Sequence, residues 1–216
     1  MNFEIARRQM LMQQIRAWDV LDPRVLAVLG ATPRELFVPE SELDLAFADT
    51  EIPLPHGQCM MAPKVEARLL QELTIQPSDS VLEIGTGSGY LAACLSRLAG
   101  RVLSLEYFAD LCSGAREKLD RAGIDNVEVI NDDATQAAFD SRFDVVAVTA
   151  SVPTLGERFL RLLKPEGRLF AVVGRAPVME AVFVRMHADG SVTEKSLFET
   201  LLTPMINAGQ PTPFIL

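Results

Sequence analysis

The decapeptide Val81-Leu-Glu-Ile-Gly-Thr-Gly-Ser-Gly-Tyr90 constrains this chain more than any other stretch of it. Val81, Leu82 and Ile84 form a short apolar run of the kind that makes a buried strand, three alternating glycines force a tight turn, and Leu91 to Leu98 continue as an apolar-rich helix. A strand, glycine-rich loop and helix in this order bring backbone N–H groups close to a ligand at the positive end of a helix. Such a unit calls for an acidic residue at the end of the next strand, about 20 residues on, to hold ribose hydroxyls. Val102-Leu-Ser-Leu-Glu106 supplies it. The pattern predicts a nucleoside-containing cofactor, with Glu83, Gly85, Thr86, Gly87, Ser88, Gly89, Glu106 and the neighbouring Tyr107 as its expected contacts.

The spacing of the glycines narrows the cofactor. A dinucleotide fingerprint, G-x-G-x-x-G, would place its third glycine where Tyr90 stands. The G-x-G-x-G loop found here, with Glu83 two residues before Gly85, resembles the S-adenosyl-L-methionine loop of class I methyltransferases. That cofactor has no pyrophosphate, but it carries a sulfonium cation that suits a nearby carboxylate. A nicotinamide or flavin site, and a turn that binds nothing, are the alternatives.

The chain has 20 basic and 29 acidic residues, a net charge of −9, and no basic run. This argues against a nucleic-acid backbone or an anionic membrane surface as its main partner. No apolar run approaches the roughly 18 residues of a membrane span, and the N-terminus has no signal-like apolar core. Three cysteines without a C-x-x-C pair, and only two histidines, make a zinc site improbable. The expectation is a reduced, metal-free, cytoplasmic protein of one α/β core.

Helical spacing covers residues 3–18 and 24–30, the latter opened by Asp22-Pro23, and 63–73, with Pro63 in its first turn. Residues 40–56 read as short helix and loop. Strands are expected at 81–84, 101–106, 126–131, 143–149, 168–174, 179–187 and 192–203, with helices near 89–99, 108–122 and 155–163 between them. Gly123 stops the second of these helices, and Gly167 lies in the turn after the third. The alternation predicts a doubly wound, seven-stranded, mostly parallel sheet, closed by a hairpin through Asp189-Gly190. Residues 1–75 are read as an N-terminal helical cap and substrate segment, and 76–216 as the cofactor-binding domain, the two forming one compact unit. The apolar end of the 209–216 tail is expected to pack down.

Ligands of doubly wound sheets sit at the carboxyl ends of the strands. Asp133, preferred over Asp132, and Ala134 close the third strand, where a carboxylate can accept from an adenine amino group or cap its own turn. Thr149 and Ser151 end the fourth strand and are candidates for touching substrate, or for ordinary turn roles.

With Leu163-Lys-Pro-Glu-Gly-Arg-Leu added to these segments, the chain resembles the protein-L-isoaspartate O-methyltransferases over roughly residues 7–203. Pro33-Arg-Glu-Leu-Phe-Val-Pro39 is similar to the family's P-R-E-x-F-V-P signature. His56-Gly57-Gln58 followed by Pro63 is similar to its G-Q-T-I-S-x-P substrate segment. The resemblance implies methylation of the α-carboxylate of isoaspartyl residues in damaged proteins or peptides, starting their repair. It implies S-adenosyl-L-methionine as cofactor and His56, Gln58, Cys59, Met60 and Met61 as substrate-lining residues. The departure lies there too, since Met61 stands where the family has a serine that orients the substrate carboxylate. A thioether cannot donate a hydrogen bond, so a contact worth roughly 1–3 kcal/mol to a charged acceptor is lost. The family's G-D-G also becomes Asp132-Asp133-Ala134. No catalytic residue is therefore assigned. Another acceptor, either a small molecule or a different protein carboxylate, is the alternative within the enzyme class. A non-catalytic module that binds the cofactor, or nothing, and acts through a partner is the alternative outside it, and the chain is expected to be a monomer or homodimer.

Overall fold

The computed structural model describes residues 2–209, so the expectation for the 209–216 tail lies almost wholly outside the described residues. Seven strands form the main sheet: β3 (Ser80–Ile84), β4 (Arg101–Glu106), β5 (Val127–Asn131), β6 (Phe143–Val152), β7 (Leu163–Arg175), β8 (Val178–Met186) and β9 (Val192–Glu199). Their spatial order is β5-β4-β3-β6-β7-β8-β9. The pairs within β5-β4-β3-β6-β7 are parallel, and β8 and β9 add antiparallel. Helices α4 (Tyr90–Ser96), α5 (Ala109–Arg121) and α6 (Glu157–Leu160) fill the crossovers β3–β4, β4–β5 and β6–β7, and residues 132–142 pass from β5 to β6 without a helix. This is the predicted sheet, with its last turn at Asp189-Gly190 closed by the Gly190 N–H donating to the His187 carbonyl.

Successive residues of the central strands enter opposite cores. Val145 and Ala147 pack with one buried cluster, Val146 and Val148 with the other, so both faces of the sheet are covered. The first cluster also takes in Met10, Ile15, Phe37, Ile52, Met60 and Leu69, so cap and sheet share one core. In the cap, α2 (Pro23–Ala31) starts on the Asp22 carboxylate, which accepts from the Arg24 N–H. Helix α3 (Pro63–Leu73) keeps the predicted bounds and buries Val65, Leu69, Leu70 and Leu73.

Four local readings change. The predicted helix over 3–18 is α-helical only over α1 (Phe3–Gln9); Met10–Ile15 is π-helical and Arg16–Trp18 is a 3-10 turn. Met10 and Ile15 are both buried, and the wider i→i+5 turn brings positions five apart onto one face. The 155–163 helix shrinks to α6, and the chain joins β7 at Leu163. Pairing with β6 slips between Phe143–Leu163 and Val145–Arg168, so Gly167 sits in an irregularity inside the strand, where Pro165 has no N–H to give. Strand β6 continues past residue 149 to Val152, while β9 ends at Glu199, short of 203. Residues 40–60 contain a strand pair missed in the sequence, β1 (Ile52–Pro53) against β2 (Cys59–Met60).

Gly89 is the residue on which the loop-to-helix turn depends. Its φ of 88° lies in the left-handed region, and a Cβ there would meet the Ala115 Cβ at 3.2 Å and its backbone at 3.4 Å. Gly89→Ala is expected to cost about 2–3 kcal/mol, from the strained φ and the collision with α5 together. Urea denaturation of the variant beside wild type checks this.

Candidate active site

One cleft lies at the carboxyl ends of β3, β4, β5 and β6, enclosing about 840 Å³ with its open mouth. Strand β3 delivers the glycine loop as its floor. Gly85 has φ 105°, and a Cβ on it would run into the Thr149 hydroxyl. That hydroxyl donates instead to the carbonyls of Ile84 (2.8 Å) and Gly85 (2.7 Å), tying the loop to β6.

Two carboxylates flank the loop. Glu106 ends β4 and is 5% exposed; it accepts from the N–H of Gly87 at 2.8 Å and of Phe108 at 3.0 Å. Each oxygen keeps a lone pair, so a vicinal diol can be held as well. Glu83 is fully buried. Its Oε2 accepts from the Ser104 hydroxyl, which lies 2.5 Å from that of Thr86, while Oε1 is buried with no partner. Burial pushes the Glu83 carboxyl up to about 8, Ser104 opposing and the Glu106 and Glu66 charges adding. A buried, half-satisfied acid at the bottom of a cleft suits a ligand that brings a positive charge or a donor.

The opposite wall comes from the cap. Gln58, Cys59, Met60 and Met61 line the cleft, the two methionines being almost fully buried. The Cys59 thiol lies 3.4 Å from the Thr203 hydroxyl, and burial raises its pKa, which leaves it a poor nucleophile. Thr86, Ser88, Tyr107, Asp133, Ala134 and Thr149 also line the cleft. Asp133 caps its own turn too: its carboxylate accepts from Thr135 N–H and hydroxyl, from Gln136 and from Asn207, and these bonds hold its pKa down despite burial.

Three expected contacts lie elsewhere. Ser151 is buried, and its hydroxyl donates to the Leu202 carbonyl at 2.9 Å, because β6 extends past Thr149 and carries Ser151 inside. Gly89 is absorbed by packing on α5. His56, with φ 61°, sits on the exposed rim, stacked 4.1 Å from the Phe108 ring with Nε2 2.9 Å from Asp110, which agrees with a structural role. Sequence reasoning missed Glu66, Leu91, Phe108, Pro204, Met205 and Ile206, all of which line the cleft. Only the P-R-E signature hinted at Glu66, through the arginine that pairs with it.

The family model for protein-L-isoaspartate(D-aspartate) O-methyltransferase matches residues 6–210. Curated proteins named protein-L-isoaspartate O-methyltransferase are similar along nearly all of the chain. The one from Methanoculleus marisnigri is 38% identical, covering 93% of this chain and 91% of its own. A second, called protein-L-isoaspartate O-methyltransferase 2, from Pelobacter propionicus, is 35% identical, covering 96% and 93%. Among solved structures, a Plasmodium falciparum chain assigned as a protein-L-isoaspartate O-methyltransferase, in complex with S-adenosyl-L-homocysteine, superposes with a TM-score of 0.81 at 21% identity. The match covers 95% of this chain and 98% of that one.

The raised Glu83 carboxyl sets a stability signature. The folded state holds its proton from about pH 4.5 to about pH 8, where the unfolded chain has lost it. Its contribution is therefore full at low pH and is lost as pH rises through that window, on the order of a few kcal/mol. Glu83→Gln is expected to melt progressively higher than wild type between pH 5.5 and pH 8.5, as followed by thermal denaturation.

Proposed function

The chain belongs to the protein-L-isoaspartate(D-aspartate) O-methyltransferase family, and on that premise we propose that it methylates the carboxylate of isoaspartyl residues in damaged proteins or peptides. It is an S-adenosyl-L-methionine-dependent O-methyltransferase. The observation that carries the reading is the cleft in which the glycine loop and the Gln58–Met61 segment face each other.

The residues present fit the cofactor. Gly85 leaves the loop bare, Glu106 has acceptor capacity for the ribose hydroxyls, and the unpartnered oxygen of Glu83 suits the charged methionine end. Asp133, Ala134, Tyr107 and Phe108 line the same cleft and would border the adenine. When bound, the cofactor supplies a methyl group activated by its sulfonium. An acceptor carboxylate is already ionised at neutral pH, so no side chain has to remove a proton. The chain aligns the acceptor and excludes water, with Met60, Met61 and Leu91 as the apolar wall. We further propose that the enzyme acts in the cytoplasm, as monomer or homodimer. No helix among the described residues is long and apolar enough to cross a membrane.

One observation favours a second acceptor. Met61 is 6% exposed and offers a thioether where the family segment has a hydroxyl. A softer wall suits a different or bulkier carboxylate or a small molecule.

Tritium transfer from labelled cofactor to an isoaspartyl peptide is expected to exceed transfer to its aspartyl control; equal incorporation rejects the isoaspartyl reading. Met61→Ser is expected to raise kcat/KM for that peptide about tenfold, the value of one hydrogen bond to a charged group. An unchanged ratio means that the hydroxyl is dispensable here.

A further inference from the structure

Arg34 is the largest fully buried side chain of the described residues, and it lies behind the acceptor wall. Its guanidinium joins four segments. Nη1 pairs with the Glu66 carboxylate on α3. Nη2 donates to the Met61 carbonyl at 2.8 Å, just beyond β2. The charged plane lies 4.5 Å from the ring centroid of Tyr90, the first residue of α4 after the glycine loop. Arg34 itself belongs to the 3-10 turn Arg34–Leu36 of the cap.

Stability alone is a weak reason for such an arrangement. A buried ion pair seldom outperforms apolar side chains of similar volume, because both charges lose their water. The Arg34 Nε even remains buried without a partner. What an apolar pair cannot do is reach a carboxylate and a carbonyl at once through one rigid fork. The carbonyl it reaches belongs to Met61, which lines the cleft, and Glu66 lines the cleft as well.

We propose that Arg34 and Glu66 are positioning residues for methyl transfer: the Glu66 carboxylate holds the Arg34 guanidinium on the Met61 carbonyl, fixing the acceptor wall against the helix that carries the cofactor loop. Neither residue touches the reacting atoms. The proposal rests on the methyltransferase reading for its kinetic consequence, but not for its structural one.

The groups that face Glu66 are Arg34 from the cap, Tyr90 and Cys94 from α4, and Glu83 from β3. Burial keeps the Tyr90 hydroxyl well above its usual range and pushes Cys94 up to about 12, so neither titrates near neutrality. Burial lifts Glu66 to about 7, with the Arg34 charge pulling it back down. Arg34 stays charged throughout, its own pKa raised by Glu66 against the opposing effect of burial.

Glu66→Gln keeps the shape and removes the charge, while Arg34→Lys keeps the charge and removes the fork. Both are compared with wild type by amide hydrogen exchange of segment 58–62 and by methyl-transfer kinetics, with S-adenosyl-L-homocysteine affinity from calorimetry as control. Exchange in segment 58–62 is expected to speed up in both variants, and kcat to fall about tenfold or more, as misplacement of reacting groups predicts. Strand 81–84 should stay as in wild type in both variants, and the affinity for S-adenosyl-L-homocysteine as in wild type in Arg34→Lys, since Arg34 does not line the cleft. Glu66→Gln, which removes only the charge, keeps the test if Arg34→Lys fails to fold. Wild-type exchange in both variants overturns the proposal, as does loosening spread equally over strand 81–84. Faster exchange confined to segment 58–62, in a protein that methylates no isoaspartyl peptide, supports the clamp and rejects the isoaspartyl reading instead.

Discussion

The end of β3 is where the chain must leave the sheet with no side chain in the way, and the rest of the site depends on that exit. Gly85 turns there with its α-carbon against Thr149 of the neighbouring strand. The Thr149 hydroxyl spends its single proton, shared, on the carbonyls of Ile84 and Gly85. Two residues later the loop receives the Glu106 carboxylate on the Gly87 N–H. The floor of the cleft is thus held from β6 on one side and β4 on the other, both by groups that stop at the rim. A side chain at position 85 would collide with the Thr149 hydroxyl and break the tie between the loop and β6.

Legibility in the sequence followed the reach of the signal. Strands β3 to β5 and helix α3 were readable because their apolar periodicity, the proline at the first turn of α3 and the glycines after helices act within a few residues. Sheet composition followed from alternation, Glu83 and Glu106 from spacing relative to the loop, and the substrate segment from the resemblance of residues 56–63 to a family motif. What escaped was set by distant partners. The π-helical Met10–Ile15 stretch exists because both of its ends are buried in the shared core, and Ser151 was drawn inside by the carbonyl of Leu202. Glu66 looked like one more polar residue of an amphipathic helix, since its partner is 32 residues away in sequence.

The electrostatics of the cleft run in one direction. Glu106, Asp132 and Asp133 line it beside Glu66 and Glu83, whose carboxyls burial pushes toward the neutral form, with no lysine, arginine or histidine among the lining residues. The Arg34 cation stands behind the wall rather than in it. Such a lining favours a cationic cofactor and leaves an acceptor carboxylate to depend on backbone geometry and on the cofactor's own charge. The identity of the residue at position 61 matters for the same reason, since few other groups in the wall address the acceptor.

The single apolar core beneath cap and sheet has an evolutionary corollary. Met10, Phe37, Ile52 and Met60 are packed in one cluster with Tyr90 and Val145, so the acceptor wall is no detachable module that could be traded between relatives as a cassette. A graft of that wall would expose the sheet it covers. Divergence in what such a scaffold recognises must therefore accumulate one side chain at a time along the wall, and the methionine at position 61 is a change of that kind.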